Sequence, residues 1–407
     1  EKLPGHDDLV YLHLFHKKQP DLNWENPALR EEIYKMINWW LDRGLAGFSI
    51  DAIINIKKTT PLTIDYPADR ADGLCSPSRM LQDAVGVVDL LNEMADRTFR
   101  KHQAFTIAEL FNWRKEDLAR YIGDEGCFSS ILDFAETVIN ASPNGWYDQK
   151  PVEPEQYKQT VFDVQKSVGD VGYMANVIEN HDESRGVSRY IPEGERSTEA
   201  KKMLGGLSFM LRGLPFLYQG QELGLENATF TDIGQVDDIS TIDEYQVALN
   251  AGCTKEQALA AINRYSRDHA RMPYPWSDAP NGGFTTGKPW LMVNPEWPTL
   301  NLAAEKQQKD SVWHFYKQLI ALRKNPEYSE TVVYGVFEPW LREQHNLMAY
   351  LRKGEKTLLV AGNYQTEPQE MKLPAPIQKV LMNNMPELEE KDGSVMLKGY
   401  QFLVLEI

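Results

Sequence analysis

The stretch GLAGFSIDAIINIKK, residues 44–58, contains a short apolar run that ends in a carboxylate. Residues 47–50 have the character of a buried strand in a parallel α/β sheet. Asp51 follows directly, so it is predicted to lie at the carboxyl end of this strand, where α/β folds build their sites. On this stretch alone, a simpler interpretation is favoured, namely an acid that caps a helix or pairs with Lys57 or Lys58.

Strand-like and helix-like segments alternate on both sides of this stretch. The predicted strands are residues 47–52, 104–110, 129–135, 172–180 and 213–224, and the predicted helices are residues 27–44, 78–102, 157–167 and 198–212. This alternation predicts βαβ units and a parallel sheet. A long irregular insertion (225–310) and a helix (309–324) follow, and short alternating strands after about residue 332 predict an antiparallel β-domain.

Composition limits the class of protein. The 407 residues, 42% of them hydrophobic and 25% charged, predict one large globular domain and a smaller one. The net charge of −16 argues against a nucleic-acid partner, because little basic surface is available to displace counterions. No apolar run is long enough to predict a membrane-spanning segment. Cys75, Cys127 and Cys253 have neither metal-ligand spacing nor a disulfide pattern, which favours a reducing, cytoplasmic location. The sequence begins without Met, so an upstream signal peptide stays open.

Acids follow three of the predicted strands: Asp51, Glu109 and Asp182. Three acids at one edge of a sheet repel each other, so a function is expected to require them. Glycoside hydrolysis needs two facing carboxyl groups, one as nucleophile and one as proton donor. The alternatives are helix capping for each acid separately, and a divalent metal site that includes His181.

Five motifs, in order, resemble those of glycoside hydrolase family 13, most closely its oligo-1,6-glucosidase and α-glucosidase branch. They are QPDLNW (19–24), GFSIDAI (47–53), FTIAELF (105–111), NHDESR (180–185) and YQGQELG (218–224). The resemblance implies that Asp51 is the nucleophile, that Glu109 is the general acid/base and that Asp182 holds the distorted sugar. For a retaining enzyme, the carboxyl groups of Asp51 and Glu109 are expected about 5 to 6 Å apart.

The resemblance also implies substrate-binding roles. His181 and Arg271 are expected to bind the non-reducing glucose, and Arg185 and Ala52 are assigned to the same site. In that branch the residue after the nucleophile is often Val in α-1,6-specific members and Ala or Thr in α-1,4-active ones. Ala52 therefore predicts activity on maltose- or sucrose-type substrates at least equal to that on isomaltose.

Two positions depart from the family pattern. Ser49 replaces an Arg that pairs with the nucleophile and keeps it ionised, which predicts lower activity. Pro275, in the segment RMPYPW (271–276), stands where Gln is usual and removes a side-chain amide and a backbone donor.

The implied fold is a (β/α)8 TIM barrel, of which this chain is expected to supply strands four to eight, followed by an antiparallel β-sandwich. The predicted divisions are 1–24 (end of an inserted B domain), 25–330 (C-terminal part of the barrel) and 331–407 (β-sandwich).

An N-terminal fragment of the same protein is expected to complete the barrel, because open strand edges are costly. No cofactor is expected to be required, and any structural Ca²⁺ would belong to that N-terminal part.

The sequence thus predicts a retaining, exo-acting α-glucosidase for short oligosaccharides of the maltose, isomaltose or sucrose type. One alternative is glucosyl transfer or sucrose isomerisation by the same residues. The other is a catalytically impaired binding or assembly homologue, similar to the heavy chains of amino-acid transporters. Those homologues have usually lost catalytic acids, and this chain keeps all three.

Overall fold

The computed structural model describes residues 1–61, 65–68, 73, 75–82, 84–110, 113, 115–133, 135 and 139–407. Asp83 and Phe134, inside predicted elements, and Phe111, the last residue of the motif FTIAELF, lie outside the described residues. The chain divides into two compact units, one of Glu1–Phe134 with Val171–Ala175 and one of Ala135–Asp170 with Asn176–Ile407. The predicted boundaries at 24/25 and 330/331 stay predictions.

Parallel strands in the order β1-β2-β3-β4 organise the first unit, as predicted. Their bounds are β1 Gly47–Ile50, β2 Phe105–Leu110, β3 Ser130–Asp133 and β4 Met174–Asn176, whose last residue belongs to the second unit. The helices of this unit are α1 Pro27–Leu41, α2 Ser78–Gln82, α3 Val87–Arg97, α4 Phe99–His102 and α5 Leu118–Tyr121.

Local chemistry explains why β1 starts where it does. Helix α1, which leads into it, is capped by the Asn26 side chain, which accepts a hydrogen bond from the amide of Ala28. Gly44, with φ +90°, follows the end of α1 in a conformation that favours glycine. An added Cβ at Gly47 would lie 1.6 Å from the carbonyl oxygen of Phe105, so only glycine allows β1 to pair with β2 at this point.

The second unit begins with further helices and one short strand. Its barrel-type elements are α6 Pro154–Val168, α7 Gly186–Tyr190, α8 Thr198–Phe209 and β5 Leu214–Pro215. The amide of Phe216 donates to the carbonyl of Asn176 at 3.0 Å, so the backbone after β5 pairs with the end of β4. No helix in the described ranges is both long and apolar enough to cross a membrane.

Residues 225–310 were predicted to be irregular, and this prediction is wrong for a large part of the segment. It contains α9 Ile239–Asn250, α10 Lys255–Tyr265, α11 Asp268–Arg271 and α12 Leu302–Gln307. Asp238 caps α9, and Thr254 with Gln257 forms a capping box on α10. Two further helices follow, α13 Val312–Lys324 and α14 Ser329–Tyr334.

The chain ends in two antiparallel sheets, as predicted. One has the order β10-β13-β8-β7-β6 and the other β11-β12-β9. The bounds are β6 Val336–Trp340, β7 Leu347–Lys353, β8 Thr357–Asn363, β9 Gln369–Lys372, β10 Lys379–Asn383, β11 Glu389–Lys391, β12 Ser394–Leu397 and β13 Phe402–Glu406. Side chains from both sheets, such as Leu359, Met371, Val395 and Leu403, form one buried core between them.

The other face of the five-stranded sheet packs against α8 and α13. Met203 and Leu207 of α8 share a buried core with Tyr350 and Phe402 of the sheet. An added Cβ at Gly206 would lie 2.6 Å from the Phe402 ring, so a glycine here lets the helix approach the sheet closely. This sheet therefore has a buried core on each of its faces.

Candidate active site

Asp51 and Glu109 follow or end neighbouring parallel strands of the first unit. Ser49 pairs with Ile107, and Ile50 with Ala108, so the register brings Asp51 level with Glu109 at the carboxyl ends of β1 and β2. Ligands bind at this end of the strands in parallel α/β folds. The two acids that the sequence singled out first therefore meet at one edge of the sheet.

The backbone next to Asp51 contacts Glu109 directly. The amide of Ala52 lies 3.3 Å from Oε2 of Glu109. Ala52 has φ +44°, in the left-handed region that non-glycine residues rarely adopt, and this turn ends β1 earlier than predicted. Asp51 is exposed, and Glu109 is partly buried.

Ser49 lies in β1, two residues before Asp51, which directly follows the last residue of this strand. Both side chains are exposed. Among the described residues, Asp51 has no cationic partner.

Asp182 is the centre of a polar cluster in the second unit. Its Oδ1 accepts hydrogen bonds from Nη2 of Arg271 at 2.9 Å and from Nη1 of Arg267 at 3.0 Å. His181 lies beside it, with Nε2 at 3.4 Å from Oδ2 of Asp182, and its carbonyl accepts from Nε of Arg271 at 2.8 Å. The structure thus brings together three of the predicted site residues: His181, Asp182 and Arg271.

Sequence reasoning missed two members of this cluster, Arg267 and Asp238. Asp238 is buried and accepts hydrogen bonds from Nη2 of Arg267 at 2.5 Å and from the hydroxyl of Thr241 at 2.7 Å. Burial raises the pKa of Asp238, but the hydrogen bonds from Arg267 and Thr241 outweigh it and hold the pKa below its usual value. The spacing of Arg267 and Arg271, one helical turn apart, was the available signal for Arg267.

Replacing Arg267 with methionine is expected to lower the free energy of unfolding by about 2 to 3 kcal/mol near neutral pH. The reason is that the buried Asp238 carboxylate loses its strongest charged donor. Because the folded pKa of Asp238 is depressed, its ionised form contributes stability above the ordinary pKa of about 3.9, and this is lost as pH falls through the depressed value. The cost should therefore be smaller near pH 3 than near pH 7, as measured by urea unfolding at both pH values.

Arg264→Met is the matched control, since Arg264 is exposed on α10, three residues before Arg267. It is expected to change the free energy of unfolding by less than about 0.5 kcal/mol at either pH. An equal loss for both variants, or no dependence on pH for Arg267→Met, would contradict the assignment.

Arg185 lies away from the surface. Its side chain is 2% exposed, and its guanidinium donates to the carbonyls of Gln219 at 2.7 Å and His269 at 3.2 Å. The buried Glu179 carboxylate lies 3.8 Å from Nη1 of Arg185. These contacts hold three segments of the second unit together, and the predicted role of Arg185 in substrate binding stays a prediction.

The metal-site alternative finds no support in the part of the chain that the structure describes. There, no group of three or more His, Cys, Asp or Glu side chains is placed to hold a metal ion.

The chain matches a known family over most of its length. Residues 5–335 match the alpha-amylase catalytic domain, and the chain belongs to that family, glycoside hydrolase family 13. Its fold is accordingly the TIM barrel with a C-terminal β-domain, as predicted. It is a glycosidase-type chain of the α-glucosidase branch that the sequence motifs resemble.

The chain is similar to an oligo-1,6-glucosidase, a trehalose-6-phosphate hydrolase and an isomaltulose synthase. The oligo-1,6-glucosidase of Halalkalibacterium halodurans is 35% identical over 390 residues, which are 94% of this chain and 68% of that protein. The structure of a trehalose-6-phosphate hydrolase of Bacillus licheniformis is similar with a TM-score of 0.87 at 31% identity, covering 97% of this chain and 71% of that one. An isomaltulose synthase of Klebsiella sp. LX3 has a TM-score of 0.87 at 27% identity, with 97% and 71% covered.

Proposed function

We propose that this protein is a retaining, exo-acting α-glucosidase that hydrolyses terminal α-glucosidic bonds of short oligosaccharides. The observation that carries the proposal is the 3.3 Å contact between Glu109 and the backbone beside Asp51, at adjacent strand ends in a chain of glycoside hydrolase family 13. Two adjacent carboxyl groups are what retaining hydrolysis requires.

In the proposed reaction, Glu109 donates its proton to the glycosidic oxygen while the Asp51 carboxylate attacks the anomeric carbon. The bond to the leaving sugar breaks, and a glucosyl ester of Asp51 forms. Glu109, now a carboxylate, takes a proton from water, whose oxygen attacks the same carbon and releases Asp51. Asp182, held by its two arginines, would bind the hydroxyls of the glucose while its ring is distorted.

Proton NMR of the first product formed tests the proposal. The anomeric proton of newly released glucose should have the α configuration, because two displacements at one carbon restore the starting geometry. Release of β-glucose would exclude the double displacement by Asp51.

Ser49→Arg is expected to raise kcat by about ten- to a hundredfold. A charge-assisted hydrogen bond of roughly 1.5 to 3 kcal/mol would keep Asp51 ionised and oriented. Ser49→Gln, which lengthens the side chain and adds an amide donor without a charge, is the control and should give little gain. If the arginine variant is no faster than the glutamine variant, another group already supplies the charge.

Linkage preference is expected to follow Ala52. We expect kcat/KM on maltose or sucrose to be at least equal to that on isomaltose, because a small side chain beside Asp51 leaves room for the leaving sugar. The relatives named above include an oligo-1,6-glucosidase, so isomaltose is a realistic competing substrate. The measurement is kcat/KM on all three disaccharides. A strong preference for isomaltose would contradict the role given to Ala52.

A second candidate is glucosyl transfer or sucrose isomerisation on the same residues, with which the likeness to an isomaltulose synthase is consistent. It differs only in the acceptor of the glucosyl group, and product analysis with sucrose distinguishes glucose plus fructose from an isomer. The catalytically impaired homologue is the remaining alternative, and it predicts no turnover with any of these sugars. The predicted pairing with an N-terminal fragment stays a prediction.

A further inference from the structure

Asp238 contacts both of the arginines that hold Asp182, and all four residues belong to the second unit. Its Oδ1 accepts hydrogen bonds from Nε of Arg267 at 3.1 Å and from Nη2 of the same guanidinium at 2.5 Å. Nη1 of Arg271 lies 3.4 Å from the same oxygen. Each guanidinium group also donates to Oδ1 of Asp182, so two separate routes link the carboxylates of Asp238 and Asp182.

A closed ring of buried hydrogen bonds fixes Asp238 in turn. Its Oδ2 accepts from the amide and the hydroxyl of Thr241, at 2.9 and 2.7 Å, and that hydroxyl lies 3.0 Å from the hydroxyl of Ser266. The Ser266 oxygen accepts from the amide of Asp268 at 3.2 Å, and Oδ2 of Asp268 accepts from the amide of Asp238 at 3.1 Å. All four side chains are buried, so both the backbone and the carboxylate of Asp238 are held in one position.

The two arginines are more exposed than the acid that they share. The side chains of Arg267 and Arg271 are 24% and 25% exposed, whereas that of Asp238 is 1% exposed. A long side chain near the surface has several rotamers available, and it adopts one of them only when a partner anchors its head group. Asp238 is too deeply buried to bind a sugar itself, so its contribution is to anchor the guanidinium groups.

We propose that Asp238 is a positioning residue of this glycosidase, which fixes Arg267 and Arg271 and through them orients the Asp182 carboxylate. This proposal rests on the proposed function, in which Asp182 binds the hydroxyls of the distorted glucose. A group that is oriented in advance for the distorted sugar stabilises the transition state more than the bound substrate. Loss of Asp238 should therefore lower kcat more than it changes KM.

Nuclear magnetic resonance of the arginine Nε–H groups tests the anchoring without turnover. The Nε–H of Arg271 donates to the carbonyl of His181 at 2.8 Å, whereas Nη1 is the atom of this guanidinium that faces Asp238. Asp238→Asn keeps the size of the side chain and removes its charge, so exchange of this Nε hydrogen with solvent should accelerate by about tenfold or more. Asp243→Asn, at an exposed acid of α9, is the control and should leave the exchange rate unchanged. Unchanged exchange in Asp238→Asn would overturn the proposal.

A double-mutant cycle on an aryl α-glucoside tests whether Asp238 acts through Asp182. Asp238→Asn alone is expected to lower kcat by about ten- to a hundredfold, with little change in KM. In a protein that already carries Asp182→Asn, the same substitution should cost less than about twofold, because the group that it positions is gone. Equal losses in both backgrounds would show a general structural effect and overturn the positioning role.

Ser266→Ala is a second variant that keeps the proposal testable if Asp238→Asn folds poorly. It removes the hydroxyl that supports Thr241 and leaves every side-chain contact of Asp238 with the arginines in place. We expect kcat to fall by about two- to tenfold and the Nε–H of Arg271 to exchange faster; no change in either would contradict the role of the ring. If the wild-type protein cleaves no α-glucoside, the proposed function fails, and the exchange measurement still decides whether Asp238 anchors the arginines.

Discussion

Replacing Asp51 with asparagine is expected to lower the turnover of α-glucosides by about 10⁴-fold or more. Asparagine has nearly the same shape but cannot form the glucosyl ester, so the double displacement has no first step. Asp51 is exposed and has no cationic partner among the described residues, so the change should not disturb folding. The measurements are the initial rate on an aryl α-glucoside and the thermal unfolding midpoint of both proteins.

Covalent trapping makes this test specific to the nucleophile. A 5-fluoroglucosyl fluoride forms a long-lived ester with the attacking carboxylate, and peptide mapping should place it on Asp51. Asp89→Asn is the control, because Asp89 is an exposed acid of the same unit that pairs with Arg120. A label on another residue, or an Asp51→Asn protein with wild-type rates, would remove Asp51 from the proposed role.

Glu109→Gln is expected to produce a loss that depends on the leaving group. On maltose the rate should fall by about 10² to 10⁴-fold, because the departing sugar is no longer protonated. On α-glucosyl fluoride the first step needs no proton donor, so the second step, attack of water, becomes limiting. Azide, which attacks without a general base, should then restore the rate and yield a glucosyl azide of α configuration.

The control for Glu109 is Glu116→Gln, a nearby exposed acid of the first unit. It should keep wild-type rates with and without azide. Equal losses on maltose and on the fluoride, or no response to azide, would show that Glu109 does not transfer the proton.

The sequence predicted those features that depend on local pattern. The acids at the ends of β1 and β2 were found because an apolar run interrupted by a carboxylate is visible within a few residues. The helices α9 and α10 were not predicted, although the capping box of Thr254 and Gln257 is visible in the sequence, because the surrounding segment is rich in Asp, Pro and Gly, which favour turns.

Contacts between distant segments could not be predicted in the same way. Arg267 and Asp238 are 29 positions apart, and their pairing depends on how α9 and α11 pack. The early end of β1 depends on the left-handed turn at Ala52, a conformation that alanine rarely adopts and that no residue preference announces. The interior position of Arg185 likewise depends on two carbonyls that lie 34 and 84 residues further along the chain.

The packing of α8 and α13 on the five-stranded sheet has a consequence for protein engineering. Because Leu207 and Phe402 belong to one hydrophobic core, the β-sandwich is not a module that can be exchanged between homologues at residue 331 alone. A chimera joined there would set two foreign surfaces against each other where Gly206 leaves no space for a larger ring or an added side chain. Successful recombination in this chain should therefore transfer α8, α13 and the sheet as a single block.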